Sequence, residues 1–391
     1  MSESLRSLSL IPDRCRERQR RLVEVLARRE LDRAILVRPE HVQYLTGFRP
    51  HRLMHAAVVL GAGGKCLLVA PNRAPEGAAV DDAVTFEAQW HATLRQDQHL
   101  AVEEAIRRAL GATDGVSGRE RRTAGQAGNG ARRVGVEFSS YGGRLSQAAL
   151  GVEASGLVDL EPDLWSLRRR KDPDELAMIR RAIACTEAMY ARARQVIAPG
   201  ITEIEVFNHL HAAAVDVAGE PLTDLGNDYQ ANSPGGPPRP RAAQAGELFV
   251  LDLGPAYRGY FADNCRTMTI DGPPSDAQQR AWEKIVAVFG MVEQTVRPGV
   301  GCREVFQRAQ AMLDEYRPGS FFHHLGHGIG LFPHEGPHLN PNWDDTFEQG
   351  DVFTAEPGLY GPELKAGIRI EENYLVTATG VEKLTAYPVE L

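Results

Sequence analysis

Four carboxylates stand in segments whose neighbours are apolar and strand-like, and a chain can bury such segments only if something neutralises the charge. Asp252 and Asp263 flank a turn-like PAYRG in ELFVLDLGPAYRGYFADNCRTMTI (247–270), Glu356 lies in DVFTAEPGLY (351–360), and Glu371 lies in GIRIEENYLV (367–376). Taken singly, each acid is accounted for by a solvent-facing strand position. Taken together they are not, because an ionised carboxylate inside an apolar strand costs several kcal/mol unless it is paired or bound to metal. If the hairpin turns about Tyr257 and Arg258, Asp252 falls directly opposite Asp263 on one face. Their Cβ atoms would then stand roughly 4.5–5.5 Å apart, which is destabilising for like charges unless a cation lies between. Two divalent cations cancel four carboxylates, and one imidazole and a shared water complete the shells. Oxygen-rich donors with a single imidazole suit Mn²⁺, Co²⁺, Fe²⁺ or Zn²⁺. Glu372, next to Glu371, points to the opposite strand face, where it supports the site from behind or meets solvent.

The imidazole is available. The stretch HHLGHGIGLFPHEGPH (323–338) holds five of the chain's twelve histidines, strung on glycines and prolines instead of an apolar face.

With 391 residues the chain exceeds the roughly 250–300 at which single cores stop growing, so two domains are expected, 1–165 and 166–391. The 43% hydrophobic and 25% charged composition is that of a globular protein, and the net charge of −8 lacks the basic excess of a nucleic-acid surface. Five scattered cysteines, never in a C-x-x-C, indicate neither a disulfide framework nor a thiolate zinc site. The N-terminus lacks a signal-peptide apolar run, and no stretch approaches the 18 apolar residues of a membrane span. A cytoplasmic protein without membrane or nucleic-acid partners is expected.

Along the first half, helical spacing covers about Pro12 to Glu30, LDRAILVRP reads as a buried strand, HVQYLTGFRP as strand and turn, and HAAVVLGAGGKCLLVAP as two strands joined by a glycine turn. DDAVTFEA and VGVEFSS add strands, and residues 99–110 and 143–154 add helices. The Gly- and Arg-rich segment 113–133 reads as an exposed, mobile loop. In the second half long helices, the first starting near Asp172 or Asp174, alternate with antiparallel-looking strand pairs, an α+β rhythm of helix, helix, strand, strand that occurs twice.

In that order LDLGPAYRGYFAD, HHLGHGIGLFPHE, FTAEPGLY and GIRIEE resemble the pita-bread metallopeptidases, the family of prolidase (Xaa-Pro dipeptidase), aminopeptidase P and methionine aminopeptidase. LDRAILVRPEHVQYLTGF is similar to the creatinase-like domain that precedes the catalytic domain in prolidases and aminopeptidase P. The resemblance implies an α+β pita-bread catalytic domain preceded by an α/β creatinase-like N-terminal domain. It implies Asp252, Asp263, His327, Glu356 and Glu371 as ligands of two divalent ions, Mn²⁺ foremost, and a homodimer. His334 and His323 match substrate-site histidines that orient the substrate and stabilise the oxyanion, and Arg369 matches an arginine that supports the site. Glu356 matches the group that takes a proton from a water bridging the two ions and passes it to the leaving nitrogen. His324 and His338 match no family role.

One departure stands out. The family has a further histidine some 17 residues before the first ligand Asp. Here an ungapped count lands on Gly235, and no histidine occurs between His211 and His323. Tyr229 is the nearest phenol that can substitute, while Arg239 and Arg241 either reach a substrate carboxylate, favouring an Xaa-Pro dipeptide, or are solvated loop charges. The expected activity is that of an Xaa-Pro dipeptidase; Xaa-Pro aminopeptidase on longer peptides, a creatinase-like amidinohydrolase or lyase on the same fold, and a binding module without catalysis are the alternatives.

Overall fold

The computed structural model describes residues 8–113, 133–226 and 228–391, so the Gly- and Arg-rich segment expected to be a loop lies, but for its two end residues, outside the described residues. These fall into two compact units, Ser9–Leu167 and Arg168–Leu391, with Leu8 belonging to the second.

The first unit is built on a six-stranded mixed sheet. Its strands run in the order Asp82–Phe86, Cys66–Pro71, Ala57–Gly61, Arg33–Leu36, Val134–Val136 and Leu157–Asp159. The helices Gln98–Thr113 and Gly142–Leu150 cover it, closing a core of Ile35, Val59, Val69, Val102, Ile106 and Val136. One expectation fails: HVQYLTGFRP forms no strand, and Pro39–Thr46 is a helix. Proline at the first helical turn supplies the right φ, Glu40 favours the positive helix start, and Gly47 at φ 78° closes the end.

In the second unit the helices Pro173–Val196 and Glu203–Ala218 pack on each other beside a three-stranded sheet of Asn264–Thr269, Leu248–Leu253 and Asp228–Ala231. The helices Asp276–Thr295 and Cys302–Asp314 pack on a five-stranded sheet. Its order is Glu335–Leu339, Gly326–Gly328, Val352–Ala355, Glu372–Val376 and Val381–Lys383, every pair antiparallel. Ile285, Val288, Val292, Val305, Leu313, Phe353 and Tyr374 fill the interface. Asp172 with Glu175, Thr202 with Glu205 and Ser275 with Gln278 form capping boxes that set three of the helix starts.

The central hairpin differs from expectation by one residue. Ala256 pairs with Phe261 and Tyr257 with Tyr260, so the turn lies at Arg258 and Gly259, whose φ angles of 50° and 88° make a two-residue turn with both centres left-handed. Asp252 therefore pairs with Cys265, and Asp263 lies outside the ladder, just before Asn264.

Candidate active site

Each of the five acid and histidine candidates sits where its strand ends, breaks or pinches. Asp252 is the penultimate residue of Leu248–Leu253, Asp263 occupies the gap before Asn264–Thr269, and Glu356 directly follows Val352–Ala355. Glu371 stands in the break between Ile368–Arg369 and Glu372–Val376. Asp263, Glu356 and Glu371 stand outside the ladders, Asp252 stays paired near its strand end, and the four carboxylates converge. His327 is the middle of Gly326–Gly328, and its flanking glycines are obligatory. A Cβ at Gly326 would meet the Thr354 carbonyl oxygen at 2.0 Å, and one at Gly328 the Gly336 carbonyl oxygen at 2.0 Å. Close approach of neighbouring strands is what demands them.

Ligating atoms of Asp252, Asp263 and Glu371 lie within 4.8 Å of one another, as do those of His327, Glu356 and Glu371. Glu371 belongs to both groups, so the five residues make one continuous cluster with two centres. Both Glu371 carboxylate oxygens are buried with no hydrogen-bond partner, a condition buried polar atoms rarely tolerate. Burial, then the neighbouring Asp263 and Asp252, drives the Glu371 carboxyl well above the usual carboxylate range; burial, Asp252 and Glu356 do the same to Asp263. Burial pushes His327 down to about 3, leaving a neutral ring. Its Nδ1–H donates to the Gly328 carbonyl at 3.1 Å, so Nε2 carries a lone pair, 3.5 Å from Glu356 Oε1 and 3.7 Å from Asp263 Oδ2. A neutral imidazole lone pair facing several carboxylates that repel one another is the donor set of a cation. The residues fit two divalent ions.

The cluster forms the floor of a cleft of about 650 Å³ whose walls include His323, His324, His334, Phe322, Tyr360, Arg369, Gly235 and Asp224. His334 stacks on His327, ring centroids 3.7 Å apart. The next residue, Glu335, is buried between Arg168 and Lys171, and those cations, outweighing burial, hold its carboxyl down at about 2. His323 is fully engaged. Arg369 donates to the Tyr360 hydroxyl at 3.0 Å, Tyr360 donates to His323 Nε2 at 3.0 Å, and His323 Nδ1–H donates to the His324 carbonyl at 2.8 Å. In this arrangement His323 has no N–H left for an oxyanion.

His324 is the residue that sequence reasoning missed. It lines the cleft, and its Nε2–H donates to Glu356 Oε1 at 2.7 Å. Burial would raise the Glu356 carboxyl, but this ring, with His327 and His323 behind it, pulls it to about 2. The only available signal was the doubled histidine in HHLGH.

The other candidates stand apart from the cluster. Tyr229 does not reach the cleft: strand alternation turns it away from its neighbour Asp228, and it is buried edge-on to Phe207 with its hydroxyl unpartnered. Arg239 is held by buried Glu203 and Arg241 by Glu247, and neither lines the cleft. Glu372 does face away from the cluster, yet it is buried and paired with Arg266 instead of meeting solvent. His338 bonds Asp345 at 2.8 Å, a satisfied structural histidine. Gly235, where the family's extra histidine is missing, does line the cleft.

Residues 177–378 match Metallopeptidase family M24, and residues 18–169 match the Creatinase/Prolidase N-terminal domain. The chain belongs to metallopeptidase family M24, and its fold is the α+β pita-bread catalytic domain preceded by a creatinase-type α/β domain. An uncharacterized peptidase of Staphylococcus aureus (strain USA300) is 27% identical over 375 residues, 94% of this chain and 98% of the relative. An Xaa-Pro dipeptidase of Pyrococcus horikoshii is 24% identical over 379 residues, 96% of this chain and 98% of the relative. The crystal structure of the prolidase from Pyrococcus horikoshii OT3 superposes with a TM-score of 0.76 at 23% identity, covering 96% of this chain and 99% of that one.

Proposed function

We propose that this metallopeptidase hydrolyses the imido bond of Xaa-Pro peptides, dipeptides included, with two divalent cations, Mn²⁺ foremost, held by Asp252, Asp263, His327, Glu356 and Glu371. The observation that carries the reading is Glu371, whose two buried, unpartnered oxygens face Asp252 and Asp263. When bound, the cations supply Lewis acidity, polarising the scissile carbonyl and making water acidic near neutral pH. The chain's own residues do the rest. Glu356, steadied at Oε1 by His324, takes a proton from the attacking water and returns it to the prolyl nitrogen, which leaves as a secondary amine. His334, stacked on His327, presents its ring to the substrate carbonyl. Arg369 holds Asp252 through Nη2 at 2.8 Å and steadies His323 through Tyr360.

The reading extends to a homodimeric enzyme of the cytoplasm, in keeping with five buried, free cysteines and with the family resemblance. A panel of Xaa-Pro dipeptides and tripeptides, assayed with Mn²⁺, Co²⁺ and Zn²⁺ after chelation, tests it. Metal-dependent release of the N-terminal residue is expected; turnover of an amidine substrate and of no Xaa-Pro peptide would replace it with an amidinohydrolase, the reading that glycine at 235 favours.

A further inference from the structure

Arg369 is the only guanidinium or ammonium among the described residues lining the cleft, and each of its five N–H groups already has an acceptor. Nε donates to Asp252 Oδ2 at 3.2 Å, Nη1 donates to the Pro234 carbonyl at 3.1 Å and to the Tyr360 hydroxyl at 3.0 Å, and Nη2 donates to Asp252 Oδ2 at 2.8 Å and Asp228 Oδ2 at 2.5 Å. A guanidinium has five such donors and no more. One positive charge therefore stands between two carboxylates.

Asp228 has this place because residue 235 is glycine. A Cβ on Gly235 would lie 2.2 Å from Asp228 Oδ2 and 2.9 Å from its Cγ. The Asp228 carboxylate thus fills the space into which any side chain at 235 would project, including the histidine that the family resemblance leads one to expect there. Strand pairing fixes it: Asp228 is directly opposite Asp252, on the same face. Asp228 stands behind Arg369, outside the cleft lining, while exposed Asp224 does line the cleft.

We infer that Asp228, admitted by Gly235, sets the charge selectivity of this cleft. By taking one Nη2 N–H of Arg369, the one that Asp252, Pro234 and Tyr360 leave over, it completes the set of acceptors and leaves a substrate carboxylate no free guanidinium donor to bind. Resting on the Xaa-Pro reading above, the inference is that the cleft favours a substrate whose proline is followed by a neutral amide over one ending in a free proline carboxylate. Asp228 acts through Arg369, as a specificity-determining residue that does not touch the reacting atoms.

The test compares Ala-Pro with its neutral isostere Ala-Pro-NH₂ on the metal-loaded full chain, wild type and Asp228→Asn, with calorimetric binding of proline against prolinamide as a second readout. Wild type is expected to favour the amide by about tenfold in kcat/KM, and Asp228→Asn to narrow that ratio to within about threefold, chiefly through the KM of the free dipeptide. Prolinamide is expected to bind more tightly than proline to wild type. A wild-type preference for Ala-Pro, or a ratio unchanged in Asp228→Asn, would overturn the inference. Should Asp228→Asn fail to fold, the wild-type ratio decides alone. If neither compound is cleaved, the peptidase reading fails, and the proline against prolinamide affinities still decide for or against a carboxylate-rejecting cleft.

Discussion

Glu371 is 1% exposed and its oxygens have no donor, so its contribution to stability depends on what sits beside it. In excess chelator, Glu371→Leu is expected to be more stable than wild type by about 1–3 kcal/mol in urea unfolding, because a buried carboxylate without a partner is removed. With Mn²⁺ restored the order inverts, since only wild type gains binding energy. His324→Ala leaves all five proposed ligands in place while removing the donor to Glu356 Oε1. A fall in kcat of about 10- to 100-fold, with most of the metal retained, is expected from steady-state assays and metal analysis. Equal kcat would assign His324 to structure alone. The four acids were legible because carboxylates in apolar strands are anomalous, and His327 was singled out by the family resemblance. His324 and Asp228 were not, because a second histidine or an aspartate at the start of a strand becomes informative only when the partner, Glu356 or Arg369, is known from tertiary structure.

Elements hold these residues through backbone contacts and buried ions. Ala at position 328 would place a methyl 2.0 Å from the Gly336 carbonyl oxygen, so Gly328→Ala is expected to cost about 2–3 kcal/mol and to weaken metal binding as the His327 strand moves away. The segment carrying His334 is anchored by Glu335 in the grip of Arg168 and Lys171. Its carboxyl lies at about 2 against an ordinary 4.5, a depressed folded-state value. Its stabilisation is therefore complete above about pH 4.5 and is lost as pH falls toward 2. The gap in unfolding free energy between wild type and Glu335→Gln, on the order of 3 kcal/mol at neutral pH, should close across that window in chelator-treated protein; a pH-independent gap would contradict the ion cluster. Sequence patterning located the hairpin and its acids, yet misplaced the turn by one residue, because positive φ at Arg258 leaves no compositional trace. HVQYLT alternates like a strand, and the capping at Pro39 and Gly47 overrides that pattern.

Across the molecule, two sheets with their helix pairs meet a single requirement, bringing strand ends from residues 252, 263, 327, 356 and 371 into one acidic cluster. Among the described residues no helix is long and apolar enough to cross a membrane, and the family assignment covers both units. Cations at the cluster are the condition on which the arrangement rests. The most direct test is metal content by plasma mass spectrometry after chelation, Mn²⁺ reloading and desalting, for wild type and Glu371→Ala. About two ions per chain in wild type, and fewer than one retained in the variant, is the expected result. Wild-type protein that takes up no divalent ion, and unfolds at the same temperature with and without Mn²⁺, would contradict it.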